Sequence, residues 1–234
     1  MLDVTGLRIP LSKLDGTEAS ELVACREATA RKLHVKQGQI ASLELRKRSI
    51  DARKRNDIAL ICTVRLSLHG GEAQVARRGG NNVRLVAETP YELPRRAVTW
   101  PDRPVVVGAG CAGLFCALAL ASAGAAPLLV ERGDDAERRT TAVSRFNQTG
   151  ELDPQSNIQF GLGGAGTFSD GKLGTGTKSP AHRLILQTLV EAGAQRRILW
   201  DAKPHVGSDV LPSVVTRIVD RIVELGGEVR FRTR

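Results

Sequence analysis

Residues 105–131 constrain this chain more than any other stretch. They read Val105-Val-Val-Gly108-Ala-Gly110-Cys-Ala-Gly113, then an alanine- and leucine-rich run to Gly124, then Pro127-Leu-Leu-Val-Glu131. A β-branched run, a glycine turn, a helix-forming run and a second apolar run ending in an acid spell strand, turn, helix, strand. That is the layout of a dinucleotide-binding unit. Gly108 lets the strand turn sharply, Gly110 lets a pyrophosphate approach the backbone, and Gly113 lets the helix pack closely on the sheet. Ala109, Cys111 and Ala112 complete the turn, and the helix start offers N–H groups and a partial positive charge to the phosphates. Glu131 lies 18 residues beyond Gly113. It is placed to accept hydrogen bonds from ribose hydroxyls, and its charge repels a 2′-phosphate, which disfavours NADP.

Two other readings of the same stretch compete. Residues 104–130 carry no charge and are long enough to span a membrane. Four glycines, Pro104, Pro127 and the β-branched start break that stretch into strand, helix and strand instead. A turn of this shape that binds nothing is the other.

The remaining composition fits a globular protein, with 41% apolar and 25% charged residues. Aromatics are only 3%, so the core must rest on Val, Leu, Ile and Ala. The net charge of +9 is uneven: residues 1–100 carry 18 Lys/Arg against 11 Asp/Glu, and the rest carry 16 against 14. The four cysteines, Cys25, Cys62, Cys111 and Cys116, form neither a CxxC pair nor a zinc-spaced cluster with histidine. Cys111 and Cys116 are read as small packing residues. Met1 precedes Leu-Asp-Val-Thr-Gly, with no basic or apolar leader region, so a cytoplasmic protein with reduced thiols is expected.

Along the N-terminal part, residues 2–10 suggest a short strand. Asp15 and Glu18 have capping-box spacing before a helix over about 17–33. Residues 40–48 and 58–68 read as strands, 69–71 as a turn and 77–82 as a polar loop. The run Arg46-Lys47-Arg48 with Arg53-Lys54-Arg55 invites a nucleic-acid reading. No aromatic residue is interleaved for base stacking from Ala41 through Leu68, so a solvated strand edge is the simpler account and nucleic acid is disfavoured as a partner.

A second glycine-rich tract follows Glu131. It runs Ser156-Asn-Ile-Gln-Phe-Gly161-Leu-Gly163-Gly164-Ala-Gly166-Thr-Phe-Ser169-Asp170-Gly171-Lys172-Leu-Gly174. Such density suits backbone laid against a ligand, with Thr167, Ser169, Asp170 and Lys172 as polar handles; a flexible loop is the alternative. Helices are expected over 137–146, 182–192 and 211–225, a turn-rich loop over 199–209, and a strand from 228.

With both tracts in view, the chain resembles the N-terminal part of bacterial NAD(P)/FAD-dependent oxidoreductases, an uncharacterised FAD-dependent dehydrogenase family. The matching residues are Val107–Gly113, Glu131-Arg132-Gly133, Ser156–Gly161, Gly163–Leu173 and Ala202-Lys-Pro-His-Val-Gly207, with Arg48-Ser-Ile-Asp-Ala-Arg-Lys54 upstream. The resemblance implies FAD as cofactor. Gly108, Gly110 and Gly113 would take its pyrophosphate, Glu131 its adenosine ribose, and Gly163–Lys172 would run near the flavin. Arg132 and Arg139 are implied contacts, as are Gly163, Gly164 and Lys172. Leu162 departs from the family's usual glutamate. The family's members are much longer, so this chain reads as truncated.

The expected architecture is α/β: a small basic α+β domain over 1–95, a linker over 96–104, and an incomplete Rossmann-like FAD-binding domain over 105–234. The expected function is an FAD-dependent oxidoreductase acting on an unknown small molecule, with NAD(P)H as a candidate electron donor. Asp170, Lys172 and His205 are the catalytic candidates, and none is assigned a role. A non-catalytic dinucleotide-binding or RNA-associated protein is the alternative.

Overall fold

The computed structural model describes residues 1–87, 91–93, 102–174 and 179–234. Most of the expected linker therefore lies outside the described residues. The chain divides into two units. The first comprises Met1–Pro90 together with Leu199–Pro204, and the second Tyr91–Ile198 with His205–Arg234.

In the first unit, β1 (Leu2–Pro10), α1 (Glu18–Leu33), β2 (Ile40–Asp51), β3 (Ala59–Leu68), α2 (Glu72–Arg78) and β4 (Val83–Leu85) follow in order. The antiparallel sheet has the order β2-β3-β1-β4. Its inward set is Leu2, Val4, Leu7 and Ile9 from β1 and Leu60, Cys62, Val64 and Leu66 from β3. In β1 that set skips from 4 to 7, which strict alternation forbids. A bulge between Val4 and Leu7 restores it by moving the register one residue. Helix α1 covers the sheet with Cys25, Thr29, Ala30 and Leu33.

Three expectations change here. The bend at 69–70 leads into α2, which takes in Arg77 and Arg78 of the stretch expected to be a polar loop, the rest of that stretch is a short 3-10 turn, and an edge strand β4 that was not expected follows it. A seven-residue helix is too short to show a period, and Gly71 starts it with no side-chain cap. The cap of α1 is Thr17, whose hydroxyl accepts the Ser20 N–H, and not Asp15. Asp15 instead accepts the Thr17 hydroxyl and N–H, and these bonds hold its carboxyl down at about 2.

Arg48 organises the open side of β2. Its guanidinium forks to both oxygens of Glu21 (2.6 and 2.7 Å) and to Asp201 through Nε (2.8 Å) and Nη2 (2.7 Å). Its backbone N–H donates to Trp200 O (2.7 Å), and its carbonyl accepts from Ala202 N–H (2.8 Å). Residues 199–204 thus join the first unit as a short parallel addition to its edge strand, with Trp200 buried in its core. Other basic residues of this face are also paired, Arg46 with Glu44 and Arg53 with Asp51. Such pairing offsets the charge that a nucleic-acid surface would present.

In the second unit, β5 (Val105–Val107), α3 (Cys111–Ser122), β6 (Leu128–Val130), α4 (Ala136–Thr149), α5 (Ala181–Glu191), α6 (Leu211–Glu224) and β7 (Glu228–Arg230) follow in order. The three strands pair in parallel in the order β5-β6-β7, in a mixed α/β arrangement. Val106 and Leu129 point into a core shared with Leu114, Ala117 and Ala121 of α3. Helix α6, with Pro212 in its first turn, adds Val214, Val215, Ile218 and Ile222, each contributing roughly 1.5–3 kcal/mol on burial. Cys111 and Cys116 are exposed on α3 and are not the packing residues expected; α3 is apolar on all sides, so its sequence does not show which face is inward. No helix among the described residues is long and apolar enough to cross a membrane, which answers that reading of residues 104–130.

Arg48→Leu replaces the guanidinium shared by the half-buried carboxylates of Glu21 and Asp201 with an apolar side chain. The variant is expected to lose about 3 kcal/mol of stability, measured by urea unfolding followed by circular dichroism.

Candidate cofactor site

The site is assembled where β5 and β6 end. Gly108 takes a positive φ of 93°, which turns the chain out of β5, while its N–H donates to Val130 O (2.7 Å). At Gly113 a side chain would collide with the Gly108 carbonyl, so glycine here sets how closely α3 approaches the strand. Gly110 differs. Its φ is an ordinary −73°, and an added Cβ would meet only Gly164 Cα at 4.0 Å. The chain's own packing does not require glycine at 110, and the space beside it is open to a ligand. Gly110 caps α3 without a side-chain hydrogen bond, so the first-turn N–H groups of Cys111, Ala112 and Gly113 face a position suited to an anion.

Glu131 follows β6 and is buried (6% exposed). Its Oε2 accepts the Ala109 N–H (2.7 Å) and its Oε1 the Gly133 N–H (2.8 Å). A buried carboxylate needs such partners. These bonds also fix the carboxylate against the turn, and each oxygen keeps a lone-pair direction for a further donor.

The second glycine tract folds back onto the first. Gly163 N–H donates to Ala109 O (2.8 Å), Leu162 N–H to Asp134 O (3.0 Å), and Gly164 lies against Gly110. The tract has almost no regular structure, so side chains must satisfy its backbone. Arg139, fully buried on α4, does most of this. Its Nε donates to Asn157 O (2.9 Å), Nη2 to Ile158 O (2.9 Å), and Nη1 to Gly161 O (3.2 Å) and Leu162 O (2.6 Å). Phe168 stacks on it with its ring centroid 4.8 Å away. Burial pushes the guanidinium down to about 10, against the pull of Glu131, so it stays charged at neutral pH. Arg139 therefore spends its donors on loop carbonyls. Leu162 is buried in the core, and Asn157 Oδ1 accepts the N–H groups of Gln159 and Phe160.

Arg132 lies over the Phe160 ring, 3.5 Å from its centroid, beside the Glu131 loop. Sequence reasoning missed the clamp behind that loop. Arg232 grips Asp134 through Nε (2.7 Å) and Nη2 (2.5 Å) and reaches Asp153 (2.7 Å), while its backbone N–H donates to Gly133 O (3.0 Å). These bonds hold both carboxyls below the usual aspartate range. Carboxylates 19 positions apart and an arginine near residue 230 carry no local sequence signal.

The catalytic candidates Asp170, Lys172 and His205 come together on the surface. Lys172 pairs with Asp170, whose carboxyl that contact lowers. Lys172 bridges His205 through the backbone, with Val206 N–H donating to Gly171 O (3.0 Å). Among the described residues no group of His, Cys, Asp and Glu could hold a metal. A groove of about 680 Å³ lies elsewhere, along α3, α5 and α6 and lined by Phe115, Leu118, Ile185 and Ile218; it includes none of the glycines above.

Comparison with known proteins agrees with this geometry. An FAD binding domain model matches residues 103–145, the span from β5 through most of α4, and supports FAD as the cofactor. Residues 1–67 match a domain of unknown function (DUF8436). An uncharacterised protein from Clostridium beijerinckii (strain ATCC 51743 / NCIMB 8052) is 37% identical over 229 residues, covering 97% of this chain and 43% of the relative. The chain thus spans less than half the length of that relative.

The Arg232 clamp should be visible in acid. Asp134 and Asp153 have lowered folded-state pKa values, so their contribution is fully present above about pH 4 and is lost as pH falls through the lowered values. Urea midpoints measured downward from neutral pH are expected to fall below about pH 4. Arg232→Gln is expected to be less stable at neutral pH and to show a shallower acid decline.

Proposed function

We propose that this chain is the FAD-binding part of a flavin-dependent oxidoreductase of dehydrogenase type, built on a Rossmann-like unit over 105–234. The observation that carries this reading is the meeting of the two glycine tracts, through the Gly163–Ala109 hydrogen bond and the Gly110–Gly164 approach. Glycine at 110 has no role in the chain's own packing and a clear one beside a pyrophosphate.

Bound FAD supplies the electron-accepting chemistry. The first turn of α3, from Gly108 to Gly113, holds the pyrophosphate with its N–H groups and dipole. Glu131, fixed by Ala109 and Gly133, accepts the adenosine ribose hydroxyls. Arg132 on Phe160 lines the same end. Gly163 and Gly164 bring the backbone of the second tract against the turn, where it faces the cofactor, and Arg139 positions their loop from behind. Lys172, with Asp170 and His205, stands farther along the tract toward the substrate side. The substrate is a small molecule, and NAD(P)H is the proposed electron donor. The four free cysteines fit a cytoplasmic, reducing setting.

Gly110→Val separates ligand loss from misfolding, since that position has ordinary φ and open space. The variant is expected to keep its circular dichroism spectrum and to lose FAD affinity by at least about tenfold, the scale of a blocked close approach. Flavin fluorescence titration and flavin absorbance after desalting measure this. Unchanged FAD retention in the variant would overturn the assignment.

A further inference from the structure

Two thiols meet inside the first unit. Cys25 on α1 and Cys62 on β3 are buried at 0% and 1% exposure in one apolar cluster. Both are free, and their side chains are in hydrogen-bonding contact. A chain of neighbours closes around that contact. Cys25 lies one helical turn beyond Glu21. Glu21 holds Arg48 at 2.6 Å, and Arg48 is the cross-strand partner of Cys62. The thiol pair therefore sits beside an ion pair at the margin of an otherwise apolar core. Packing alone asks only for small apolar side chains at 25 and 62. It does not ask for two facing nucleophiles with an arginine next to one of them.

We propose that Cys25 and Cys62 form a reversible dithiol–disulfide couple, oxidised by hydrogen peroxide and restored by small-molecule thiols. Contact with Cys25 holds the Cys62 thiol below its usual range and pushes that of Cys25 up, so Cys62 gives up its proton first. Arg48 favours that thiolate and Glu21 opposes it. The Cys62 thiolate attacks one peroxide oxygen, the O–O bond breaks, and water leaves with the proton that Cys62 released. Cys62 is then a sulfenic acid. Cys25 attacks its sulfur, the S–O bond breaks, and a second water leaves with the Cys25 proton. Two thiols lose two electrons and two protons, and one peroxide becomes two waters. Exchange with two thiols returns both S–H groups and releases one small disulfide. Burial limits access, so the reaction waits on local opening of α1, which costs less than global unfolding. An S–S bond of about 2 Å draws α1 toward β3 beside the Glu21–Arg48 pair. The couple does not depend on the flavin reading, and its test needs no flavin.

The test treats the folded full chain with hydrogen peroxide, blocks the remaining thiols and maps its peptides by mass spectrometry without reduction. A peptide pair joined through Cys25 and Cys62, two hydrogens lighter than its parts and separated again by dithiothreitol, is expected. Cys25→Ala removes the second thiol, so dimedone is expected to label Cys62 as the sulfenic acid. Cys62→Ala is expected to slow oxidation at Cys25 by about tenfold or more, as loss of the thiolate-forming partner requires. Circular dichroism checks that both variants fold, and the link in the unaltered chain is read without them. Cys25 and Cys62 left as thiols once the exposed Cys111 and Cys116 have oxidised would overturn the proposal. So would a link from either buried cysteine to Cys111 or Cys116, or a 25–62 link that forms only in urea.

Discussion

The guanidinium of Arg139 holds the site together. Residues 157–162 present a run of carbonyls in neither helix nor strand, and four of them converge on this one side chain. Unpaired, those buried carbonyls would cost more than the loop could offset from its own contacts. With Arg139 in place the loop closes, Leu162 enters the core, and Gly163 reaches the Ala109 carbonyl. Burying a cation is itself expensive, and the lowered pKa records that cost. Nearby Glu131 offsets part of it while also fastening the glycine turn. The two charged groups thus belong to one arrangement, which holds the two glycine tracts together.

Features with a short sequence period or a fixed spacing were legible. Strand β5, the glycine turn, α3, β6 and Glu131 follow the order read from residues 105–131, because each residue there answers a local steric or electrostatic need. The long strands of the first unit were legible for the same reason. What escaped depends on partners distant in the chain. The carbonyl partners of Arg139 lie 18 to 23 residues further on, so its part in holding the second tract carries no local signal. Asp134, Asp153 and Arg232 form one clamp, yet nothing local in any of the three announces it. Cys111 and Cys116 were misplaced because α3 has no polar face. The capping of α1 moved by two residues because Asp15 and Thr17 are both competent caps, and the turn decides between them.

The basic character of the N-terminal unit also changes meaning in three dimensions. As a string, residues 46–55 look like a cationic patch. In the fold, Arg46, Arg48 and Arg53 each face a carboxylate. Arg48 meets two, one from α1 and one from residues 199–204. The charge of Arg48 is spent on internal order.

The contribution of residues 199–204 to the first unit also bears on how the protein is made. A ribosome delivers the chain from its N-terminus, and most of the first unit is available early. Trp200 and Asp201 emerge more than a hundred residues later, so until then the core lacks an indole and Arg48 lacks one of its two carboxylates. The first unit cannot reach its final state as soon as its own strands are synthesised. For the same reason, a polypeptide ending at residue 95 is not an independent copy of that unit, and the boundary drawn along the chain differs from the boundary drawn in space.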